Sequence, residues 1–437
     1  MATSSRKTAL AALNDVTQNE GYSNIVIDKA IRAAGLEPRD AALASVIFYG
    51  VLEKRMTLDY YIRKFLAKPK QKLDETVLNI LRIAAYQMLY LDKIPDSAAV
   101  NEAVLCASDY MRGRYKSFVN GVLRSFARGF REVTEPESES VRWDIPQAII
   151  DLWTHDYGKP LCAELFRAMS GRAKTYIRVN PLRASTASLL SAFPAGTAEP
   201  VDMLPDALCL HDAGDPTLLP GFSDGAFHVQ DLSSQLLCSL VDPQPGERVA
   251  DVCAAPGGKS FTLAERMKNE GKLDAFDLYK GRVRLIQKGA QRLQLLIISA
   301  AVRDAATGDC AAQYDRVLCD VPCSGLGVIR RKPEIRYKKP ESFAELPALQ
   351  LRILEHSANL VRPGGLLFYS TCTLHDAENG AVVRAFLTRH PEFEPYALPA
   401  VPIRRHIPDE PAHTLTMMPI NFGGDGFFAA GLRRKDG

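Results

Sequence analysis

Two thiols, a carboxylate, an ammonium and a glycine pair make up the chemistry this sequence can do. Cys323 and Cys372 each stand just past a short apolar run, in Asp320-Val321-Pro322-Cys323-Ser324-Gly325 and Thr371-Cys372-Thr373. Thiols in such loops can serve as nucleophiles. Cys238, Cys253 and Cys319 lie within apolar runs and read as small buried hydrophobes. Two thiols without further ligands do not make a metal site. The glycine pair lies in Arg248-Val249-Ala250-Asp251-Val252-Cys253-Ala254-Ala255-Pro256-Gly257-Gly258-Lys259-Ser260, where an apolar run gives way to a bend and then to a helix over 259–270. Such a bend leaves backbone N–H groups at a helix N-terminus, which favours an anionic ligand, and glycines let it come close.

Spacing narrows the ligand. A phosphate-binding loop needs glycine where this chain has Cys253, and a dinucleotide fingerprint needs spaced glycines where Gly257 and Gly258 are adjacent. Asp277 closes the next apolar run, 19 positions after Gly258, where an acidic side chain can hold ribose hydroxyls. A nucleoside with a small anionic group remains, and S-adenosylmethionine fits that description. A ligand-free turn would explain the glycines but not Asp277.

The elements that must carry these residues alternate. Strands are predicted at 248–253, 273–277, 297–302, 315–320 and 365–370, with a hairpin near 415–432. Helices are predicted near 230–241, 259–270, 280–293, 345–361 and 376–389. This is a doubly wound α/β domain over 225–437, and ligands bind beyond the carboxyl ends of its strands. Asp277, Asp320, Cys323 and Cys372 should therefore converge with the glycine bend.

At 437 residues the chain is long enough for two or three domains. Its N-terminal residues lack the apolar core of a signal peptide, and no apolar run is long enough to span a membrane. Nine scattered cysteines without a C-x-x-C pair argue against a disulfide framework and point to a reducing cytoplasm. Residues 1–130 read as all helix, over 8–16, 40–65, 73–91, 98–111 and 117–130. They hold 19 basic against 13 acidic residues, including a basic tract at 64–72, a balance suited to a polyanion or to an ordinary solvated face. Residues 131–140, polar, acidic and containing Pro136, read as a linker. Residues 141–224 read as a small α+β subdomain with strands at 174–180 and 207–210.

Several stretches together carry a resemblance. Residues 82–87, 99–104 and Phe118-Val119-Asn120-Gly121-Val122-Leu123 resemble the NusB-type helical RNA-binding domain, although a helical protein-interaction module would share the pattern. Arg178-Val179-Asn180-Pro181-Leu182-Arg183, the motif at 251–259, Asp320 to Gly325, Thr371-Cys372-Thr373 and Asp425-Gly426-Phe427-Phe428 resemble S-adenosylmethionine-dependent RNA cytosine-C5 methyltransferases. With the helical segment in front, the whole chain resembles the RsmB (Fmu/Sun) family, whose members methylate 16S rRNA. Leu278-Tyr279 departs from the further acidic residue the family often has there, and Thr373 replaces a usual serine.

The resemblance implies a methyltransferase acting on 16S rRNA that is not yet a fully assembled subunit, as a cytoplasmic monomer independent of membranes and metals. It assigns attack on carbon 6 of cytosine to Cys372 and enzyme release to Cys323. Without it the two thiols stay open, because Pro322-Cys323 imitates the nucleophile motif of DNA cytosine methyltransferases. Asp320 is suited to hydrogen-bonding the cytosine edge, and Lys259 to pairing with Asp320 or lowering a thiol pKa. Cofactor contacts are expected from Cys253, Ala254, Ala255, Pro256, Gly257, Gly258, Lys259, Asp277, Asp304 and Asp320. Asp304 is implied on the adenine side, with a surface turn as its plainer reading. After Cys323, six basic residues stand against one glutamate within 329–339. Arg330, Arg331, Lys332, Arg336 and Tyr337 are therefore expected to contact RNA. Two other functions compete: a NusB-like RNA-binding or ribosome-assembly factor without catalysis, and a methyltransferase acting on another RNA such as tRNA.

Overall fold

The computed structural model describes residues 4–19, 21–211, 213–307, 311, 313–403, 405–420 and 422–436. The chain divides into two compact units, one of Met1–Leu152 with Ile329–Lys338 and one of Trp153–Val328 with Lys339–Gly437.

The first unit packs the helices Ser5–Asn19, Ser23–Ala34, Pro38–Glu53, Arg55–Lys64, Glu75–Tyr90, Asp96–Asp109 and Lys116–Gly129 around one apolar core. Asp74 caps the central helix, its carboxylate accepting from the N–H groups of Thr76 and Val77. That helix is buried along almost its whole length and carries Arg82, 2% exposed, whose guanidinium grips Asp59 at 2.7 and 2.8 Å and Glu75 at 2.7 Å. Ser23–Ala34 is a helix that sequence periodicity missed. The stretch 40–65 is two helices, because the chain leaves helical geometry at Lys54.

Residues 131–140 are not a loose linker. Phe130–Glu132 continues as a 3-10 turn, Glu139–Trp143 is a short helix, and Tyr60 Oη donates to the Thr134 carbonyl. Buried Asp144 accepts from both the N–H and the hydroxyl of Thr57, which fastens 141–152 to the helical unit and moves the boundary to Leu152.

The second unit holds two sheets. Strands β1 (Thr175–Val179), β2 (Ala198–Pro200), β3 (Ala207–Leu210) and β4 (Phe227–Val229) form an antiparallel sheet in the order β2-β3-β1-β4. Strands β5 (Arg248–Asp251), β6 (Lys272–Asp277), β7 (Ile298–Val302), β8 (Tyr314–Asp320), β9 (Val361–Thr371), β10 (Phe393–Pro395), β11 (Thr414–Met417) and β12 (Phe427–Arg434) form the large one. Its order is β10-β12-β9-β8-β5-β6-β7, with β11 paired to β12. Strands β5 to β9 are parallel, and the late hairpin adds β12 antiparallel to β9. Helices Leu232–Val241, Gly258–Arg266 and Lys280–Leu293 contribute to the core on one face, and Leu346–Ala358 and Gly380–Arg389 to the core on the other. From β5 the chain runs outward through β6 and β7, then returns to β8 on the opposite side. The switch point therefore falls between β5 and β8. Among the described residues no helix is long and apolar enough to cross a membrane.

The small sheet is not separate from the large one. Tyr176, Ala207 and Cys209 enter the same core as Leu236 and Leu263. Arg178, from the first motif of the resemblance, is 3% exposed and donates to Glu265 at 2.7 Å, on the helix that follows the glycine bend. Removing one partner of such a buried pair strands the other charge, so Arg178→Ala should cost about 3–5 kcal/mol. Urea unfolding followed through Trp153 in a Trp143→Phe background checks this; a cost under about 1 kcal/mol would mean that Glu265 is satisfied without Arg178.

Candidate active site

The glycine bend is held from several sides. The Ala254 N–H donates to the Phe276 carbonyl at 2.8 Å, and the Gly257 N–H to the Ala254 carbonyl at 2.8 Å. Gly257 has φ 115°, and a Cβ there would stand 2.3 Å from the Phe261 ring, so glycine is required. Gly258 opens the helix Gly258–Arg266, whose first-turn N–H groups have no carbonyl a turn earlier. Gln230, fixed by a 2.7 Å bond from the Thr262 hydroxyl, donates to the Gly258 carbonyl. Residues Cys253, Ala254, Ala255, Pro256, Gly257 and Gly258 thus make a rim between β5 and this helix, and burial pushes the Cys253 thiol far above its ordinary range.

Asp277 ends β6 beside this rim. Its carboxylate accepts from the Tyr279 N–H at 3.1 Å and lies 3.6 Å from Arg282. Arg282 also donates to the Ala255 carbonyl at 3.0 Å and so ties the bend to the acidic side chain, a link with no sequence signal. Asp304 stands two residues past β7, exposed, and accepts from the Ala306 N–H in a turn. Helix-terminal N–H groups for a carboxylate and an acidic side chain at the next strand end are the donor and acceptor set that S-adenosylmethionine needs.

At the ends of β8 and β9 the expected catalytic residues meet. Asp320 and Ser370 are register partners, and Ser370 Oγ donates to Asp320 Oδ1 at 2.8 Å. Lys259 Nζ lies 2.8 Å from Asp320 Oδ2 and 5.1 Å from the centre of the Phe427 ring. Desolvation works to lower the lysine pKa, but the charge and hydrogen bond of Asp320 outweigh it and raise it. Cys323 and Cys372 are half-buried with their sulfurs 3.2 Å apart. The hydrogen bond shared with Cys372, followed by burial, pushes the Cys323 thiol well above its ordinary range, so the pair retains a proton between its two sulfurs. The last motif supports these loops through its backbone. The Gly426 N–H donates to the Gly327 carbonyl at 2.8 Å, and the Gly327 N–H to the Cys372 carbonyl at 3.0 Å. A Cβ on Gly327 would stand 2.0 Å from the Gly426 oxygen.

The basic segment after Cys323 departs from expectation. Ile329–Lys338 belongs to the helical unit. Arg336 is 2% exposed and donates to the carbonyls of Glu53, at the end of Pro38–Glu53, and of Asp144. Tyr337 Oη donates to the Leu52 carbonyl, and Arg55 lies over its ring. Both side chains are consumed by packing, because a guanidinium finds unpaired carbonyls and negative potential at a helix C-terminus. Arg336 is therefore closed to RNA, and the Tyr337 hydroxyl is already bonded within the helical unit. Arg330 and Arg331 are half-buried, and Lys332 lies 5.9 Å from the centre of the Tyr22 ring.

A parallel sheet with this rim at its switch point, joined to a NusB-type helical domain, defines an S-adenosylmethionine-dependent methyltransferase. Residues 238–433 match the family described as 16S rRNA methyltransferase RsmB/F, and residues 3–128 match the NusB family. The chain is 39% identical to the probable ribosomal RNA small subunit methyltransferase B of Bacillus subtilis (strain 168), covering 99% of each protein. It is 32% identical to the ribosomal RNA small subunit methyltransferase B of Vibrio cholerae, covering 98% of this chain and 97% of that one. Among solved structures, PH0851 superposes with a TM-score of 0.82 at 28% identity, covering 98% of this chain and 99% of that one. NSun6 from Pyrococcus horikoshii with SFG shares the fold, with a TM-score of 0.56 at 19% identity over 67% of this chain and 99% of that one. The chain belongs to the ribosomal RNA small subunit methyltransferase B family.

Asp251, at the end of β5, supplies a pH test. Burial pushes its carboxyl up to about 7, against a 2.7 Å hydrogen bond from Ser260 Oγ. The folded value lies above the unfolded one of about 4, so its contribution to stability is complete below about pH 4 and lost as pH rises through about 7. Asp251→Asn removes that dependence. Measured by unfolding between about pH 5 and 8, stability should shift in the variant's favour as pH rises; a constant difference would put the group's folded pKa near its unfolded one.

Proposed function

We propose that the chain transfers the methyl group of S-adenosylmethionine to carbon 5 of a cytosine in 16S rRNA, through a covalent adduct between Cys372 and carbon 6. The observation that carries this reading is the pair of thiols 3.2 Å apart beside the Lys259–Asp320 ion pair, at the strand ends next to the glycine rim. Bound at that rim, S-adenosylmethionine supplies an electrophilic methyl group. Cys372, as thiolate, adds to carbon 6, and the electrons of the 5,6 double bond become available at carbon 5. Asp320, facing nitrogen 3 and the amino group, favours that addition. After methylation a base takes the carbon-5 proton, the double bond re-forms and the thiolate leaves. The family resemblance gives the release step to Cys323, whose sulfur faces that of Cys372 at 3.2 Å.

Cys372→Ala should lose both methyl transfer and any covalent RNA complex. Cys323→Ala should attack and methylate, then accumulate a denaturant-resistant protein–RNA band that disappears in the double variant. A band in Cys372→Ala instead would exchange the roles. Active single variants that trap nothing would exclude thiol catalysis.

The helical unit contributes RNA affinity, on this reading, through the exposed tract containing Lys68, Lys70 and Lys72 rather than through Arg336 and Tyr337. Replacing these three lysines by alanine should weaken rRNA binding and reduce its salt slope by about 0.7–0.9 for each phosphate no longer neutralised. An unchanged slope would mark the tract as a solvated face.

A further inference from the structure

Two consecutive residues that no motif singled out, Glu378 and Asn379, are buried behind the thiols at 0% and 2% exposure. Glu378 Oε2 accepts from the Ser324 N–H at 2.9 Å and from Gln350 Nε2 at 2.8 Å, and the same Gln350 amide donates to the Pro322 carbonyl at 2.9 Å. Pro322 and Ser324 are the two neighbours of Cys323. Asn379 Oδ1 accepts from the Thr371 hydroxyl at 2.6 Å, and its Nδ2 donates to the Thr373 carbonyl at 3.0 Å. Thr371 and Thr373 are the two neighbours of Cys372. A 2.8 Å bond between the hydroxyls of Ser324 and Thr373 joins the two loops. Each cysteine is thus held on both sides through one member of a dipeptide.

We infer that Glu378 and Asn379 are positioning residues that set the separation of the two sulfurs, Asn379 controlling the attack and Glu378 the release. This rests on the thiol mechanism proposed above. The chemistry of the contacts explains the residue types. Two N–H donors converge on one oxygen of Glu378, a demand that a carboxylate meets. A glutamine oxygen could accept both donors but without the charge of a carboxylate, and its amide can be turned against them. Asn379 must accept at one end and donate at the other, which aspartate cannot do when ionised. Fully buried polar groups of this kind lose their geometry when one partner goes, because no water replaces it.

The test compares wild type, Glu378→Gln, Asn379→Ala, Thr371→Val and Cys323→Ala. Phenylarsine oxide first reports the sulfur spacing without RNA: one arsenic bonds to both sulfurs, the two thiol protons leave with its oxygen as water, and the gain is read by intact mass. Asn379→Ala and Glu378→Gln should bridge more slowly than wild type while binding S-adenosylmethionine equally well. With RNA, Asn379→Ala should lose about 10–100-fold in kcat with little change in KM, and should trap no band. Glu378→Gln should accumulate the denaturant-resistant band, as Cys323→Ala does. Thr371→Val removes only one hydroxyl from the clamp and should move in the same direction as Asn379→Ala, so it carries the test if Asn379→Ala does not fold. Wild-type bridging and wild-type turnover in the clamp variants, with Cys323→Ala still trapping RNA, would overturn the inference. Absence of a band in Cys323→Ala would instead sink the thiol mechanism, while the arsenical result would still judge the spacing.

Discussion

The catalytic end of the large sheet depends on one ion pair. Lys259 is an ammonium largely withdrawn from water, and such a charge persists only where a carboxylate compensates it. Asp320 does so at 2.8 Å, and its other oxygen is taken by Ser370. Lys259 lies in the first turn of the helix after β5, Asp320 ends β8 and Ser370 lies near the end of β9. A single carboxylate therefore ties three successive neighbours of the sheet together at their carboxyl ends. Both cysteines emerge from the last two of those strands. The Phe427 ring under Lys259 adds the hairpin strand β12 to the same cluster.

Around that pair the loops are polar, buried and densely connected. Glu378, Asn379, Gln350, Ser324, Thr371 and Thr373 exchange hydrogen bonds while almost none of their surface reaches solvent. Among the described residues Glu378 Oε1 and Gln350 Oε1 have no protein partner, but the bonds that are made are buried and costly to break. On the proposed thiol mechanism, two sulfurs 3.2 Å apart are useful only if neither can drift, so the stiffness of these loops would serve the chemistry as well as the fold. The close approach of Gly327 and Gly426 serves the same end, since a side chain at either would force the two loops apart.

In the helical unit, charge is spent on helix termini. Glu334 accepts from the Ser23 N–H at the start of Ser23–Ala34, and Arg336 donates to a carbonyl at the end of Pro38–Glu53. An acid at a positive helix end and a base at a negative one are complementary to the macrodipoles. Composition alone reads this stretch as a basic loop free to meet phosphate, yet its two most distinctive side chains are internal.

The sequence by itself determined the helical N-terminal domain, the alternating α/β domain and the order of its parallel strands along the chain, because apolar periodicity and glycine bends are local signals. It also determined which side chains could do chemistry: Lys259, Asp277, Asp320, Cys323 and Cys372 were each recognisable from a motif at a strand end. Only the tertiary structure decided that the small sheet shares the core of the large one, that the segment after the supposed linker is anchored by Asp144, and that Arg336 is buried and Tyr337 half-buried with its hydroxyl bonded to the Leu52 carbonyl. It also decided the Glu378–Asn379 clamp, whose partners lie up to 54 residues away in the chain. Pairings of that range leave no trace in local composition: a buried glutamate and a solvated one are the same letter, and only the packed chain settles which donors surround it.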